Sequence, residues 1–96
     1  MQANSHKPLF TIILDWNGGT YVYQVRAGNA SDAALRWTKQ LDVREIPGFG
    51  EVARRTLNDS LTESELVSLD GLENVWCMTA LIRGKLALVN IVCTLE

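Results

Sequence analysis

This chain of 96 residues has few of the side chains that build catalytic and metal sites. It has one histidine, His6, and two cysteines, Cys77 and Cys93, which have none of the spacings that bind metals. His6 lies in a polar segment, residues 1–8, that we expect to be a flexible terminus. A catalytic Cys/His or Ser/His/Asp arrangement would need this segment to fold over the domain. We therefore predict a protein that is not an enzyme and that binds no cofactor and no metal.

The chain also lacks a basic excess, since nine Lys and Arg residues stand against eleven Asp and Glu residues and the net charge is −2. The electrostatic field that supplies most non-specific affinity for nucleic acid is therefore missing. No apolar run approaches the ~18 residues that a membrane helix needs, and the start, MQANSHKPLF, has no signal-peptide core. We predict a cytoplasmic protein that binds neither nucleic acid nor membranes.

The composition that remains, 47% apolar and 21% charged, is typical of a folded globular domain. A chain of this length has room for one hydrophobic core. We therefore predict a single domain over residues 9–96.

The stretch LDWNGGTYVYQV, residues 14–25, predicts a β-hairpin. Asn17-Gly18 is the strongest short signal for a two-residue turn with positive φ at both central positions. A phosphate-binding glycine loop would lead into a helix, whereas this one leads into a second strand. With Trp16 opposite Gly19, one face of the hairpin is apolar: Phe10, Ile12, Leu14, Tyr21, Tyr23 and Val25. The other face is more polar, and a slip of one residue would mix the two sets.

The next segment, GNASDAALRWTKQLD, predicts an amphipathic helix. Asn29 can cap its first turn, and Asp32 favours the positive end of the helix dipole. One face is apolar at helical spacing: Ala30, Ala33, Ala34, Trp37 and Leu41. We expect Trp37 to anchor this helix in the core.

Residues 50–73 give weaker signals. EVARRTLNDSL indicates a short helix, and TESE at 62–65 fits a capping box with Thr62 as the cap and Glu65 reaching back. This box predicts a second short helical turn that contains Leu66 and Val67.

The stretch NVWCMTALIRGKLALVNIVCTL predicts a second hairpin. Gly84-Lys85 is the preferred loop, because a type II′ turn has glycine first, and Arg83-Gly84 is the alternative. Each side chain keeps its face in either register. One face is wholly apolar: Trp76, Met78, Ala80, Ile82, Ala87, Val89, Ile91 and Cys93.

Together these elements predict an α+β fold, in which two hairpins form a four-stranded, mostly antiparallel sheet in the order β-β-α-(α)-β-β. The amphipathic helix packs on one face of this sheet. The strand order stays open at this point.

Apolar side chains also lie on the sheet face that points away from the Trp37 helix. The candidate interface on that face consists of Ile13, Val22, Leu81, Leu88 and Val92, with Cys77 beside them. An open antiparallel sheet normally keeps such a face polar, and an exposed apolar patch marks a protein interface. The alternative is that residues 50–73 fold across this face and cover it.

These features predict a small protein-interaction domain, of the antitoxin or immunity-protein kind, that binds a protein partner or a second copy through this face. The alternative is a small-molecule or peptide binder with a pocket between helix and sheet, lined by Trp16, Tyr23 or Trp76. An enzyme that works only as an oligomer is a third interpretation.

The run from Phe10 to Leu41, FTIILDWNGGTYVYQV…NASDAALRWTKQL, resembles the hairpin and helix of HicB-type antitoxins. That family has a strand, a glycine turn before tyrosine, a second strand and an Ala-rich helix. This chain has RAGNASD where the family typically has a Pro-Gly-Cys turn. The resemblance is one of shape and covers about a third of the chain.

Overall fold

The computed structural model describes residues 7–63, 66–68 and 74–94. Five strands form one sheet: β1 (Leu9–Trp16), β2 (Gly19–Arg26), β3 (Val67–Ser68), β4 (Val75–Ile82) and β5 (Lys85–Thr94). Two helices, α1 (Ala30–Gln40) and α2 (Gly50–Glu63), and a 3-10 turn (Val43–Glu45) lie between β2 and β3. All strand pairs are antiparallel, and the strand order is β2-β1-β5-β4-β3. The predicted α+β fold with four long antiparallel strands is confirmed.

The first hairpin has the predicted register, with Trp16 opposite Gly19 and Leu14 opposite Tyr21. Asn17 and Gly18 have φ values of 50° and 83°, as a type I′ turn requires. Turn chemistry and side-chain alternation therefore specify the same pairing.

The second hairpin keeps its predicted faces but not its preferred loop. Ile82 pairs with Lys85, so Arg83 and Gly84 form the turn, and the predicted Gly84-Lys85 loop is wrong. The physical reason is the turn type. Arg83 and Gly84 have φ values of 54° and 75°, so the turn is again type I′, with glycine second as in Asn17-Gly18.

Helix α1 begins as predicted, since the Asn29 side chain accepts a hydrogen bond of 2.8 Å from the backbone N–H of Asp32. Its predicted apolar face is buried, and Trp37 is only 2% exposed. The helix is therefore held by its cap at one end and by Trp37 in the core.

Helix α2 is longer than the predicted short helix, and Leu66 and Val67, which were predicted in a second helical turn, are not helical. Thr62 lies in the last turn of α2, where its hydroxyl donates to the carbonyl of Asn58 at 2.9 Å and so does not cap a new helix. Glu65, the other half of the predicted capping box, lies outside the described residues. Val67 is in β3, where it pairs with Cys77.

Both helices pack on the same face of the sheet, so the protein has one core. α2 contributes Ala53, Leu57 and Leu61, which are buried together with Trp37 of α1. The sheet contributes alternate residues of its long strands: Phe10, Ile12, Leu14, Trp16, Val25, Met78, Ala80, Ile82, Ala87, Val89 and Ile91. Residues 50–63 therefore do not fold across the opposite face. None of the helices in the described segments has the length and apolarity needed to cross a membrane.

Candidate functional site

The candidate site is the sheet surface opposite the two helices, which we call the open face. The strand register assigns these side chains to it: Leu9, Thr11, Ile13, Asp15, Thr20, Val22, Gln24, Arg26, Val67, Val75, Cys77, Thr79, Leu81, Leu86, Leu88, Asn90, Val92 and Thr94. No helix of the described segments packs against it. It is the part of the fold where apolar side chains meet solvent in a group.

The predicted interface residues all lie on the open face but differ in exposure. Val22 on β2 and Leu81 on β4 are 60% and 67% exposed. Ile13, Leu88 and Val92 are half-buried and lie on β1 and β5, the inner two of the four long strands. The face therefore has a partly shielded apolar centre and more prominent apolar residues toward both sides.

Two exposed apolar residues of this face are missing from the predicted interface. Leu86, which is 61% exposed, lies opposite Leu81. Its alternation with Leu88 was the signal that could have identified it. Val67 is 59% exposed and lies opposite Cys77, but its sequence context suggested a helix.

Polar side chains of the open face bond to each other across the strands. The Thr20 hydroxyl donates to Asp15 Oδ1 at 2.5 Å, and Gln24 Nε2 donates to Thr11 Oγ1 at 3.1 Å. The hydroxyls of Thr11 and Thr94 are 2.5 Å apart. These groups already have hydrogen-bond partners within the sheet. A partner protein that covers them therefore leaves fewer donors and acceptors unsatisfied than it would if they were bonded to water alone. The surface is therefore suited to an apolar contact.

The three aromatic residues predicted to line a pocket do not share one. Trp16 is buried, donates from Nε1 to the carbonyl of Ile82 at 3.3 Å and meets Phe49 edge-on at 5.3 Å between ring centroids. Tyr23 packs on Trp37 at 5.8 Å. Burial raises the pKa of the Tyr23 hydroxyl, and nearby carboxylates, including Glu45, add to this rise.

Trp16 borders a shallow groove beside the first turn, together with Leu86 and Leu88, whereas Trp76 lines a separate groove beside the helices. Tyr23 and Trp76 lie in one row of the sheet, but Ile12 and Ile91 on the intervening strands separate them. The Trp76 groove, of about 560 Å³, lies between the start of α1 and the end of α2: its wall consists of Asn29, Ala30, Ser31, Leu35, Leu61, Thr62, Leu66 and Trp76.

Charged groups lie mainly around the helices and their connections. A hydrogen bond from the Arg36 side chain holds the pKa of the Asp32 carboxyl below its ordinary value, and Arg44 does the same for Asp42. Both carboxylates are in salt bridges at 2.9 Å and 3.0 Å. Within the described ranges, no group of three or more His, Cys, Asp or Glu side chains is placed to hold a metal ion.

Comparisons of this chain with protein-family models, with curated proteins and with solved structures found no match. The resemblance of residues 10–41 to HicB-type antitoxins therefore rests on the residues alone. The open face is the feature from which a function can be argued.

Proposed function

We propose that this chain is a non-enzymatic protein-interaction domain that buries its open face against an apolar, uncharged surface of a protein partner. The exposure of Val22, Leu81 and Leu86 in one sheet face carries this proposal. Small occluding proteins, such as antitoxins and immunity proteins, are the functional class that we favour. Exposed apolar side chains add no burial free energy to the stability of a monomer. Each one contributes about 1.5–3 kcal/mol to binding when a partner buries it fully.

The size of the face indicates what strength of binding to expect. Four long strands at a spacing of about 4.8 Å, each about 26 Å long, make a surface of roughly 500 Å². A contact over this whole surface would bury about 1,000 Å² in total over the two proteins, which is near the lower limit for specific interfaces. We therefore expect moderate affinity from one open face.

The test compares an open-face variant with a matched control. The Leu81→Lys/Leu86→Lys variant places charges on the open face, and Val52→Lys places one on α2, where Val52 is 59% exposed. Each chain is co-expressed with the products of the genes beside its own, and binding to a copurifying protein is then measured with purified components.

We expect the open-face variant to weaken this binding tenfold or more, by about 1.4 kcal/mol or more, while Val52→Lys leaves it unchanged. Circular dichroism should show that both variants fold. Unchanged binding of the folded open-face variant, or no partner at all, would contradict the proposal.

A second candidate function, binding of a small molecule or peptide, rests on the half-buried Trp76 in its groove. Apolar walls with a few polar groups are typical of ligand sites. A metabolite thermal-shift screen tests it, with Trp76→Ala as the groove variant and Leu81→Lys as the control. A ligand that stabilises the wild type and the control but not Trp76→Ala would favour this function.

A further inference from the structure

Strand β2 lies at one edge of the sheet. Among the residues that the structure describes, it pairs only with β1. Because Trp16 and Gly19 flank a two-residue turn, they form a hydrogen-bonded pair, and bonded and non-bonded pairs alternate from there. The N–H and C=O groups of Thr20, Val22 and Gln24 therefore point away from β1. Within the described segments, no backbone hydrogen bond from another element reaches these three residues.

β2 has few of the features that normally protect an edge strand, since its one charged residue, Arg26, lies at the end away from the turn. Natural edges carry lysine, proline or a bulge, or are very short. Residues 19–25, GTYVYQV, contain no charge and no proline, and their register with β1 is regular. Thr20, Val22 and Gln24 are exposed. Such a strand is a template for another strand.

The order of side chains in β2 indicates which strand fits this edge. The residues TYVYQ, 20–24, are nearly palindromic about Val22. When two copies pair antiparallel about this point, Val22 lies opposite its counterpart, Thr20 lies opposite Gln24, and Tyr21 lies opposite Tyr23. Aromatic residues then pair on one face, and uncharged residues pair on the other, which stabilises cross-strand contacts.

We propose that β2 pairs antiparallel with β2 of a second copy of this chain, centred on Val22, and that the protein is thereby a homodimer with one continuous sheet. Three residue pairs would each exchange two backbone hydrogen bonds, about six in all. The contact is isologous, as in most dimers. It uses the strand edge and leaves the open face of each copy free, so it does not depend on the proposed function.

The first test is sedimentation equilibrium of the wild type, Val22→Pro and Leu81→Lys. Proline at residue 22 removes an N–H that points away from β1, so it breaks no bond of the hairpin. We expect the wild type to have a mass of twice 10.7 kDa. The dissociation constant of the dimer should rise about tenfold or more for Val22→Pro and stay unchanged for Leu81→Lys. A monomeric wild type in the micromolar range, or a dimer that only Leu81→Lys disrupts, would overturn the proposal.

The second test reads the register directly and does not depend on Val22→Pro being folded. In a Cys77→Ala/Cys93→Ala background, Val22→Cys places two thiols opposite each other with Cα atoms about 5.5 Å apart, which suits a disulfide. We expect mild oxidation to link the Val22→Cys chains covalently. The control, Gln24→Cys, faces Thr20 of the other copy and should link much more slowly. Equal linking of both variants, or none of Val22→Cys, would exclude this pairing.

Discussion

Gly18 and Gly19 are neighbours in the first turn, yet a side chain would meet a different obstacle at each. Gly18 has a φ of +83°, and a Cβ atom there would meet nothing within 4 Å. A Cβ atom on Gly19 would lie 2.4 Å from the hydroxyl oxygen of Tyr21. The cost at Gly18 is therefore backbone strain, whereas the cost at Gly19 is displacement of the flexible end of one tyrosine.

We expect Gly18→Ala to lower the free energy of unfolding by about 1–2 kcal/mol, because alanine is strained in the left-handed region. Gly19→Ala should cost less, since the Tyr21 ring can rotate away. Gly28→Ala is the control, because Gly28 has open space around it and no positive φ. Urea denaturation of the three variants measures the loss of unfolding free energy in each and so gives their order of stability. Greater destabilisation by Gly19→Ala would mean that the Tyr21 ring is held in place.

Helices α1 and α2 are joined by polar contacts as well as by the core. The Arg54 guanidinium on α2 donates to the main-chain carbonyls of Thr38, Lys39 and Leu41 at the end of α1 and is held by Glu51 at 2.9 Å. The last carbonyls of a helix have no partner within the helix itself. Arg54 therefore satisfies the end of α1 and fixes the position of α2 beside it.

Removal of this contact should destabilise the fold. We expect Arg54→Ala to lower the free energy of unfolding by about 1.5–3 kcal/mol, because it leaves carbonyls without their charged donor. Arg54→Lys should recover only part of this loss, since one ammonium group cannot reach all the carbonyls. The control, Arg55→Ala, changes an exposed neighbour and should stay within about 0.5 kcal/mol of the wild type. Equal stability of Arg54→Lys and the wild type, by urea denaturation, would contradict this role.

The elements differ in how far the sequence predicts them. The hairpins follow from alternation and turn residues, but Gly84 fits either position of its turn, so the loop was ambiguous. α2 has a mostly polar sequence with Ala53, Leu57 and Leu61 as its buried residues. Its place beside α1 depends on contacts such as Arg54 with α1, which no local pattern reveals. The open-face residues of the four long strands were therefore predictable by alternation. Val67 in β3 was not, and neither was the fact that residues 50–63 leave this face uncovered.

At the scale of the whole molecule, the two proposed contacts reinforce each other. The two-fold axis of a β2 pair is perpendicular to the sheet, so both open faces lie on one side and both pairs of helices on the other. Two faces of roughly 500 Å² each would then form one surface. A partner that spans both would bury about 2,000 Å² in total, within the range of stable complexes.

The two-faced arrangement also predicts the chemistry of the cysteines. Cys77 pairs with Asn90 on the open face, whereas Cys93 pairs with Phe10 on the face beneath the helices. A disulfide needs Cβ atoms about 3.5–4.5 Å apart, which residues on opposite faces do not achieve. We expect both thiols to stay unlinked within one chain under mild oxidation, as mass spectrometry without reductant would show. An intramolecular link would mean that the strand register is different.

The position of β1 in the sheet has a consequence for synthesis of the protein. β1 pairs with β2, which follows it directly, and with β5, so that Leu9 faces both Arg26 and Thr94. On the ribosome, β1 and β2 are made before β5, and the edge of β1 that pairs with β5 has no partner while about 60 more residues are added. At about 5–20 residues per second this takes roughly 3–12 s. During that interval the nascent chain exposes a strand edge to its neighbours, and chaperones have their opportunity to bind it.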